Sequence, residues 1–288
     1  MSQFHLMELK AFKERVVKSL ANPSLNVSRQ AEGAQNRSLE RGIEILRAFR
    51  PGSDLLGNGE IADRTGIARA TVSRLTQTLV MSGMLDYDRK ARGYRLGVEV
   101  LSLALAMRSS NPVLQVASPL MRAASEKCRA NVGLATVDRS EMVYLESFRY
   151  NRRGVLRTVV SGQRVPIELT SLGRAYLAVV PEENRNEFLT TLRARNATRS
   201  STASEALDKE IREAIAQVST QGFCTASWQP EVFALASPVQ IPGYPIYVVN
   251  MSVTGKDTPE SVVNELSSPL LELRAKIRDT VLMQLQEY

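Results

Sequence analysis

The stretch from Leu56 to Leu96 restricts the possible folds of this chain more than any other. It begins with a short helical segment, Asn58–Gly66, in which Asn58 is the expected N-cap and Gly66 the stop signal. A longer helical segment, Ile67–Leu79, follows after a tight turn and ends before Gly83. Two helices joined by a short Gly-containing turn form a helix-turn-helix, whose second helix can enter the major groove of DNA.

The two faces of the second helix differ in chemistry. At about 100° per residue, Val72, Leu75 and Leu79 lie on one side and would pack on the neighbouring helices. The other side has short or forked hydrogen-bonding side chains without Glu or Lys, which suits contact with base edges and phosphates. The predicted DNA-binding residues of this helix are Arg69, Ala70, Thr71, Ser73, Arg74, Gln77 and Thr78. The alternative is the polar outer face of an ordinary bundle helix.

A β-hairpin is predicted from Leu85 to Leu96, directly after this helix, because alternating residues surround a basic turn that ends in Gly. The tip of the hairpin carries Arg89, Lys90 and Arg92. A hairpin in this position is typical of the wing of a winged helix, whose basic tip can contact phosphates or the minor groove.

The distribution of charge supports a nucleic-acid partner. The chain has 288 residues, enough for two domains, and a net charge of +7. Residues 1–110 hold 17 Lys and Arg against 11 Asp and Glu, whereas the remaining residues hold 20 against 19. The basic excess therefore lies in the part with the helix pair and the hairpin, as expected for a module that binds a polyanion.

Residue counts exclude several chemistries. The only histidine is His5, so Ser-His-Asp, Cys-His and HExxH sites are ruled out. Cys128 and Cys224 are too few for a disulfide framework or a zinc cluster, and they favour core positions in a reducing cytoplasm. No run reaches the ~20 apolar residues of a membrane span, and the N-terminus does not resemble a secretory signal. We therefore expect no metal, no cofactor and no membrane partner.

Segments on both sides of the helix pair complete the predicted first half. Residues 1–37 form an N-terminal arm, either poorly ordered or an extra DNA or subunit contact. The DNA-binding domain covers residues 38–97, and its first helix is expected to be capped by Ser38 and to end at Arg50. Residues 98–111 form a linker helix that is apolar nearly all round. Its partner is either the same helix of a second subunit or another surface of the same monomer.

Residues 112–288 are predicted to form an α+β domain. The predicted strands are 131–137, 142–148, 154–160, 223–228, 233–239 and 246–253. The predicted helices run from Pro112 to Cys128, from a cap at Thr170, near 182–194 and 203–220, and from Pro259 to the end, with Pro269 as a candidate break. Strands grouped at both ends around central helices favour an α+β sheet domain over βαβ winding.

Several segments, in this order and spacing, resemble the IclR family of bacterial transcription regulators. In the first domain they are Ser38–Leu46, Thr71–Leu75 and Gly93–Gly97. In the second domain they are Thr170–Ala175, Gly222–Phe223, Ala234–Val239 and Met251–Val253.

The resemblance implies a winged helix-turn-helix domain, a linker helix used in dimerisation and a GAF-like effector-binding domain with an antiparallel sheet. It also implies double-stranded operator DNA as a partner, a homodimer or a dimer of dimers, and a small carboxylic or aromatic acid from a catabolic pathway as effector. Two departures leave the effector open. Glu168 stands where the family often has His, and the loop between Gly222 and Ala234 is short.

Residues of the second domain also have chemistry that suits an anionic ligand. A helix that starts at Thr170 would direct backbone N–H groups and its positive dipole end at a ligand, and Gly173 would allow close approach. Ser252 and Thr254 share a strand face and can hydrogen-bond a carboxylate or hydroxyl. The candidate effector-binding residues are Thr170, Ser171, Leu172, Gly173, Trp228, Glu231, Ala234, Ser252 and Thr254. The alternatives are a plain N-cap at Thr170 and a core position for Trp228.

The predicted function is a DNA-binding transcriptional regulator whose output a small organic effector modulates. Two alternatives stay open at this point. One is a hydrolase or transferase that uses Cys224 or Glu231, with the helix pair as a targeting module. The other is an architectural DNA-binding protein without a ligand.

Overall fold

The computed structural model describes residues 36–150, 160–195, 201–255 and 258–286. The chain forms two compact units, with the boundary between Asn111 and Pro112. The predicted arm and the predicted strand 154–160 lie almost wholly outside the described residues. None of the helices in the described ranges is long and apolar enough to span a bilayer.

The first unit combines helices with a two-stranded hairpin. Its elements are α1 (Arg37–Arg47), α2 (Asn58–Thr65), α3 (Arg69–Met81), β1 (Leu85–Asp88), β2 (Gly93–Leu96) and α4 (Val98–Ser110). The two strands pair antiparallel, with Leu85 opposite Leu96. The core of the unit contains Ile45, Leu56, Ile61, Val72 and Leu85, each at most 1% exposed. This arrangement is the predicted helix-turn-helix with a wing.

The caps of the first two helices differ from the prediction. Asn36, not Ser38, caps α1, because its Oδ1 accepts the backbone N–H groups of Ser38 and Leu39 at 3.1 and 3.2 Å. The helix ends at Arg47 rather than Arg50.

In α2 the N-cap is Gly57, whose N–H donates to the Glu60 carboxylate at 2.8 Å, and Asn58 is the first helical residue. The predicted stop at Gly66 is confirmed, since its φ of 69° is left-handed and favours glycine.

The second unit is an α+β domain built on one antiparallel sheet. Its helices are α5 (Pro112–Cys128), α6 (Ser171–Val179), α7 (Glu182–Arg195), α8 (Ser201–Gln221) and α9 (Pro259–Gln286). Its strands are β3 (Asn131–Asp138), β4 (Glu141–Phe148), β5 (Arg164–Pro166), β6 (Cys224–Ala226), β7 (Val232–Val239) and β8 (Tyr247–Thr254). The strand order is β5-β4-β3-β8-β7-β6.

Helices cover both faces of this sheet. On one face, β8 residues Val249 and Met251 share a core with α5 and α9. On the other face, Val248 shares a core with α6, α7 and α8. Because side chains alternate along a strand, Asn250, Ser252 and Thr254 lie on the side of Val248. The polar end of β8 therefore lies on the α6 side of the sheet.

The predicted break at Pro269 is wrong, since α9 runs without interruption from Pro259 to Gln286. Leu266, Leu270 and Leu273, on both sides of the proline, are buried in the core that α9 shares with the sheet. Burial of this face holds the helix together where the proline lacks a backbone donor.

Candidate functional site

The recognition-type helix α3 presents the predicted polar face to solvent. Val72 is fully buried, and Leu75 and Leu79 pack half-buried against the same core. The residues predicted to face DNA are exposed (Arg69, Ala70, Arg74, Gln77, Thr78) or half-buried (Thr71, Ser73). The helix thus carries a row of hydrogen-bonding side chains on its outer side, with its apolar side fixed in the core.

Thr76 is a core residue of α3 that was not predicted from the sequence, because its side chain is polar. It is fully buried, and its Oγ1 lies 2.9 Å from the Val72 carbonyl and 3.5 Å from Asn58 Oδ1. The second contact joins α3 to α2. Arg64 of α2 in turn donates to the Ala48 carbonyl at 3.0 Å, after the end of α1. These polar contacts connect α2 both to α3 and to the end of α1.

The wing presents a basic tip. Arg89, Lys90 and Arg92 are exposed. The Asp88 carboxylate accepts the backbone N–H groups of Lys90 and Ala91 at 3.0 and 2.9 Å, which closes the turn. Arg92 has a left-handed backbone with a φ of 52°. The three basic side chains are therefore held on an ordered turn.

Helix α4 exposes an apolar surface. No residue of α4 is buried in the described chain. The exposed fractions run from 48% to 73% for Val98, Leu101, Leu103, Leu105 and Met107. Isolated exposed leucines are ordinary, but a contiguous apolar helix surface indicates an interaction site.

A polar cavity of about 60 Å³ lies at the end of the sheet in the second unit and opens to solvent. Such a space accommodates a few water molecules or a small polar ligand. Strands β3, β4 and β8 supply most of its wall, including Gly133, Tyr144, Ser252 and Thr254.

Three polar groups give this cavity its chemistry. Tyr144 is buried, and burial raises the pKa of its phenol to about 12, so the hydroxyl stays protonated at neutral pH. Asn250 is 5% exposed and donates through Nδ2 to the Tyr144 hydroxyl at 3.4 Å. Arg149 adds a guanidinium whose pKa is lowered, first by burial, while it stays a cation near neutral pH. The cavity thus combines a cation with neutral hydrogen-bonding groups.

Of the predicted effector-binding residues, Ser252 and Thr254 line the cavity. The start of α6 does not, because the chain closes this helix end on itself. Thr170 Oγ1 accepts the Gly173 N–H at 3.2 Å, and the Ser171 carbonyl accepts the thiol of Cys224 at 3.4 Å. A Cβ at Gly173 would overlap the Ile167 backbone, so the protein itself fills the space expected for a ligand.

The other predicted effector-binding residues lie beside the cavity wall rather than in it. Trp228 is 38% exposed, and exposed Glu231 has a left-handed φ of 61°, whereas the wall in this loop consists of Gln229 and Val232. Ala234 is buried opposite Ser252 in the pairing of β7 with β8.

Four residues of the cavity wall were not predicted from the sequence: Gly133, Tyr144, Arg149 and Asn250. A signal was available in the alternation of Asn250, Ser252 and Thr254 along one strand, and in a glycine inside a strand pattern, which marks close approach of another group. Cys224, the candidate nucleophile, is fully buried, and burial raises the pKa of its thiol to about 12. It is a core residue and a thiol at neutral pH.

A winged helix-turn-helix with an exposed polar and basic recognition helix, followed by an α+β unit with a polar cavity, defines a DNA-binding regulator with a ligand-binding domain. Comparison with known families agrees. Residues 38–89 match the IclR helix-turn-helix domain, and residues 105–277 match the C-terminal domain of the bacterial transcriptional regulator IclR. The second match covers more than half of the chain, which therefore belongs to the IclR family of transcriptional regulators and is not an enzyme.

Three similar proteins illustrate the relationship. The transcriptional regulator TsaQ1/TsaQ2 of Comamonas testosteroni is 36% identical over 159 residues, which span 54% of this chain and 56% of that relative. An IclR-family regulator from Brucella abortus has a crystal structure with a TM-score of 0.78 and 30% identity, covering 90% of this chain and all of that one. An IclR homologue from Microbacterium hydrocarbonoxydans, solved with 4-hydroxybenzoate, has a TM-score of 0.65 and 22% identity over 85% of this chain and 98% of that one.

Proposed function

We propose that this regulator binds operator DNA as a homodimer in the bacterial cytoplasm, and that a small organic acid in the cavity of its second unit changes this binding. The observation that carries the proposal is the outer face of α3, where exposed Arg74 and Gln77 lie opposite fully buried Val72. A helix fixed in this way offers the major groove side chains that read base edges.

In this proposal, the DNA-binding residues divide into two groups. Arg74, Gln77 and Ser73 on the middle of α3 contact base edges, and Ala70 leaves room for a thymine methyl group. Phosphates are contacted by the remaining side chains, which are Arg69, Thr71 and Thr78 on α3 and Arg89, Lys90 and Arg92 on the wing. The first group determines which sequence is bound, and the second contributes affinity that depends on salt.

The dimer is supported by the apolar surface of the first unit. Helix α4 exposes its leucines, and α1 adds Leu39 and Ile43, which are 64% and 46% exposed and one helical turn apart. A second copy of the chain would remove these surfaces from water. Pairing would also place two recognition helices on spaced half-sites, which raises affinity for a palindromic operator. A dimer of dimers would bind two operators in the same way.

The effector part of the proposal rests on the cavity. Ser252 and Thr254 supply hydroxyls and Arg149 supplies positive charge. A homologue of the same fold was solved with 4-hydroxybenzoate, a small aromatic acid. By preferring one arrangement of the dimer, such a ligand would shift DNA affinity, typically by about 1–3 kcal/mol. In this proposal, Trp228, Glu231, Ala234 and the start of α6 lie outside the cavity wall and do not contact the ligand.

The experiment is a DNA-binding titration with the full-length protein, using an operator selected from random DNA. Acids are added at saturating concentration, and promoter output is measured in parallel. We expect at least one small carboxylic or aromatic acid to change the operator affinity or the output, and Ser252→Ala with Thr254→Val to abolish its effect. Identical affinity and output across a broad acid panel would favour an architectural protein without a ligand.

A further inference from the structure

Two buried side chains from different strands meet above a glycine in the cavity. Tyr144 lies on β4 and Asn250 on β8, while Gly133 lies on β3 between them. A Cβ at position 133 would overlap both the Tyr144 ring and Asn250 Oδ1. The glycine is therefore what allows the hydroxyl and the amide to face the cavity as a pair.

One hydrogen-bonding atom of this pair has no partner within the described part of the chain. Asn250 Nδ2 donates to the Tyr144 hydroxyl, but Asn250 Oδ1 is buried and has no hydrogen-bond partner there. A buried acceptor without a donor is costly, and such groups in native proteins commonly mark a site for water or a ligand. Asn250 Oδ1 thus needs a donor, and the adjoining cavity is the place from which a donor can come.

The Tyr144 hydroxyl has the complementary capacity. It accepts the Asn250 bond through oxygen, so its own hydrogen is available for an acceptor in the cavity. A phenol whose pKa is about 12 keeps this hydrogen at neutral pH. The pair therefore offers one acceptor and one donor side by side. A hydroxyl group, which donates and accepts at the same atom, matches both, whereas an ether only accepts.

Arg149 lines the same cavity and interacts electrostatically with Tyr144. Its guanidinium is partly withdrawn from water, which strengthens its attraction for an anion. Planar guanidinium groups bind carboxylates through two parallel hydrogen bonds. The cavity wall thus holds a cation that suits a carboxylate and a donor–acceptor pair that suits a hydroxyl.

We infer that the effector is a small hydroxy acid, with its hydroxyl between Asn250 and Tyr144 and its carboxylate at Arg149. This inference rests on the proposed function, because it names the ligand class of the same cavity. It assigns Tyr144 and Asn250, rather than Ser252 and Thr254, as the residues that distinguish hydroxy acids from unsubstituted acids of the same skeleton.

The experiment measures binding of two triads of acids to the full-length protein by calorimetry. The first triad is lactate, 2-methoxypropanoate and propanoate, and the second is 4-hydroxybenzoate, 4-methoxybenzoate and benzoate. In at least one triad, we expect the hydroxy acid to bind about tenfold or more tightly than both companions, because they leave Asn250 Oδ1 unpaired. Tyr144→Phe and Asn250→Leu should lose this preference.

Tyr176→Phe is the matched control. Tyr176 is also buried and its pKa is also raised to about 12, but it packs edge-on against Phe188 away from the cavity wall. This variant should retain the wild-type preference. Thermal melting shows whether each variant is folded. The affinities of the three acids of a triad for the wild-type protein can be compared without any variant.

The possible failures separate the two proposals. Equal affinity for hydroxy and unsubstituted acids, lost in Arg149→Gln, would overturn the hydroxyl assignment and leave the cavity as an acid site. A hydroxyl preference that survives in both Tyr144→Phe and Asn250→Leu would overturn it as well. No binding by any member of either triad at about 10 mM, a level that detects even millimolar affinity, would overturn the inference. If no acid of the broad panel changed operator affinity or promoter output, the proposed function would be overturned.

Discussion

The side chains of Asn250 and Tyr144 form a hydrogen bond of 3.4 Å between residues 106 positions apart in the sequence. The bond crosses β3, which lies between their strands, and it forms above Gly133. The alternation of side chains along each strand places Tyr144 and Asn250 on one face of the sheet. Only the pairing of the strands in the folded sheet brings the two side chains within hydrogen-bonding distance. The polar interior of the second unit is thus a product of the sheet order.

Burial of Tyr144 predicts a loss of stability at alkaline pH. Its folded pKa of about 12 lies above the ordinary value of 10, so the unfolded chain releases its proton first. Between pH 10 and about 12, the free energy of unfolding should fall by up to about 1.4 kcal/mol per pH unit for this residue, and stability is unaffected below that range. Urea unfolding at pH 8, 10 and 11 measures the slope. Tyr144→Phe should make the slope shallower but not flat, because Tyr176 and Cys224, whose pKa values are also raised to about 12, contribute over the same range. An unchanged slope would show that Tyr144 ionises freely in the folded protein.

Two glycines of the first unit predict opposite effects of the same substitution. A Cβ at Gly97 would overlap the Gly83 backbone, so Gly97→Ala should destabilise the unit by about 2 kcal/mol or more. A Cβ at Gly42, inside α1, meets nothing within 4 Å, and Gly42→Ala should stabilise it by up to about 1 kcal/mol. Thermal melting of both variants compares them directly. Equal effects would contradict the packing of the unit.

The parts of the fold that local sequence patterns determine could be predicted from the sequence. The helix pair, the wing and the strands of the second unit follow from apolar spacing and from turn residues such as Gly66. The caps could not be predicted, because Asn36, Ser38 and Asn58 are all good capping residues, and the local fold decides which one is used. The three-residue strand β5 is too short to show any alternation.

The cavity was predicted only in part. Ser252 and Thr254 were identified because both lie on one strand, where spacing alone assigns a face. Tyr144 and Arg149 belong to a different strand and its end, and their position opposite β8 depends on long-range pairing through β3. Conversely, the start of α6 had the sequence of an anion site, but its Gly173 N–H donates to its own cap, and a Cβ at Gly173 would overlap the backbone of Ile167 in the preceding turn.

The dimer predicts that a charge on the apolar surface of α4 separates the subunits. Leu101→Glu places a carboxylate at a position that is 60% exposed in the single chain and would be buried between two copies. Sedimentation should show a shift from dimer to monomer at micromolar concentration, together with weaker binding to a two-half-site operator. Glu99→Gln, on the same helix, is the control and should remain a dimer. A dimeric Leu101→Glu variant would place the subunit contact elsewhere.

The basic tip of the wing is expected to contribute to DNA affinity independently of the DNA sequence. Arg92→Asn removes one charge while keeping a residue that tolerates the left-handed backbone at this position. Binding to operator and to unrelated DNA should weaken to a similar extent, and the slope of log K against log salt should decrease by about one. Titrations at several salt concentrations measure both quantities. A loss confined to the operator would instead assign Arg92 to base recognition.

The most direct test of the account is the affinity of Arg74→Ala for the selected operator and for variants of it with single base changes. Arg74 is exposed on the face of α3 opposite Val72, so its loss should leave the fold intact. Arg278→Ala, which removes the same charge from the second unit, is the control. We predict a loss of about 1–3 kcal/mol and a relaxed preference at one base pair for Arg74→Ala, with no change for the control. Wild-type affinity and preference in Arg74→Ala would contradict the assignment of α3 as the helix that reads DNA.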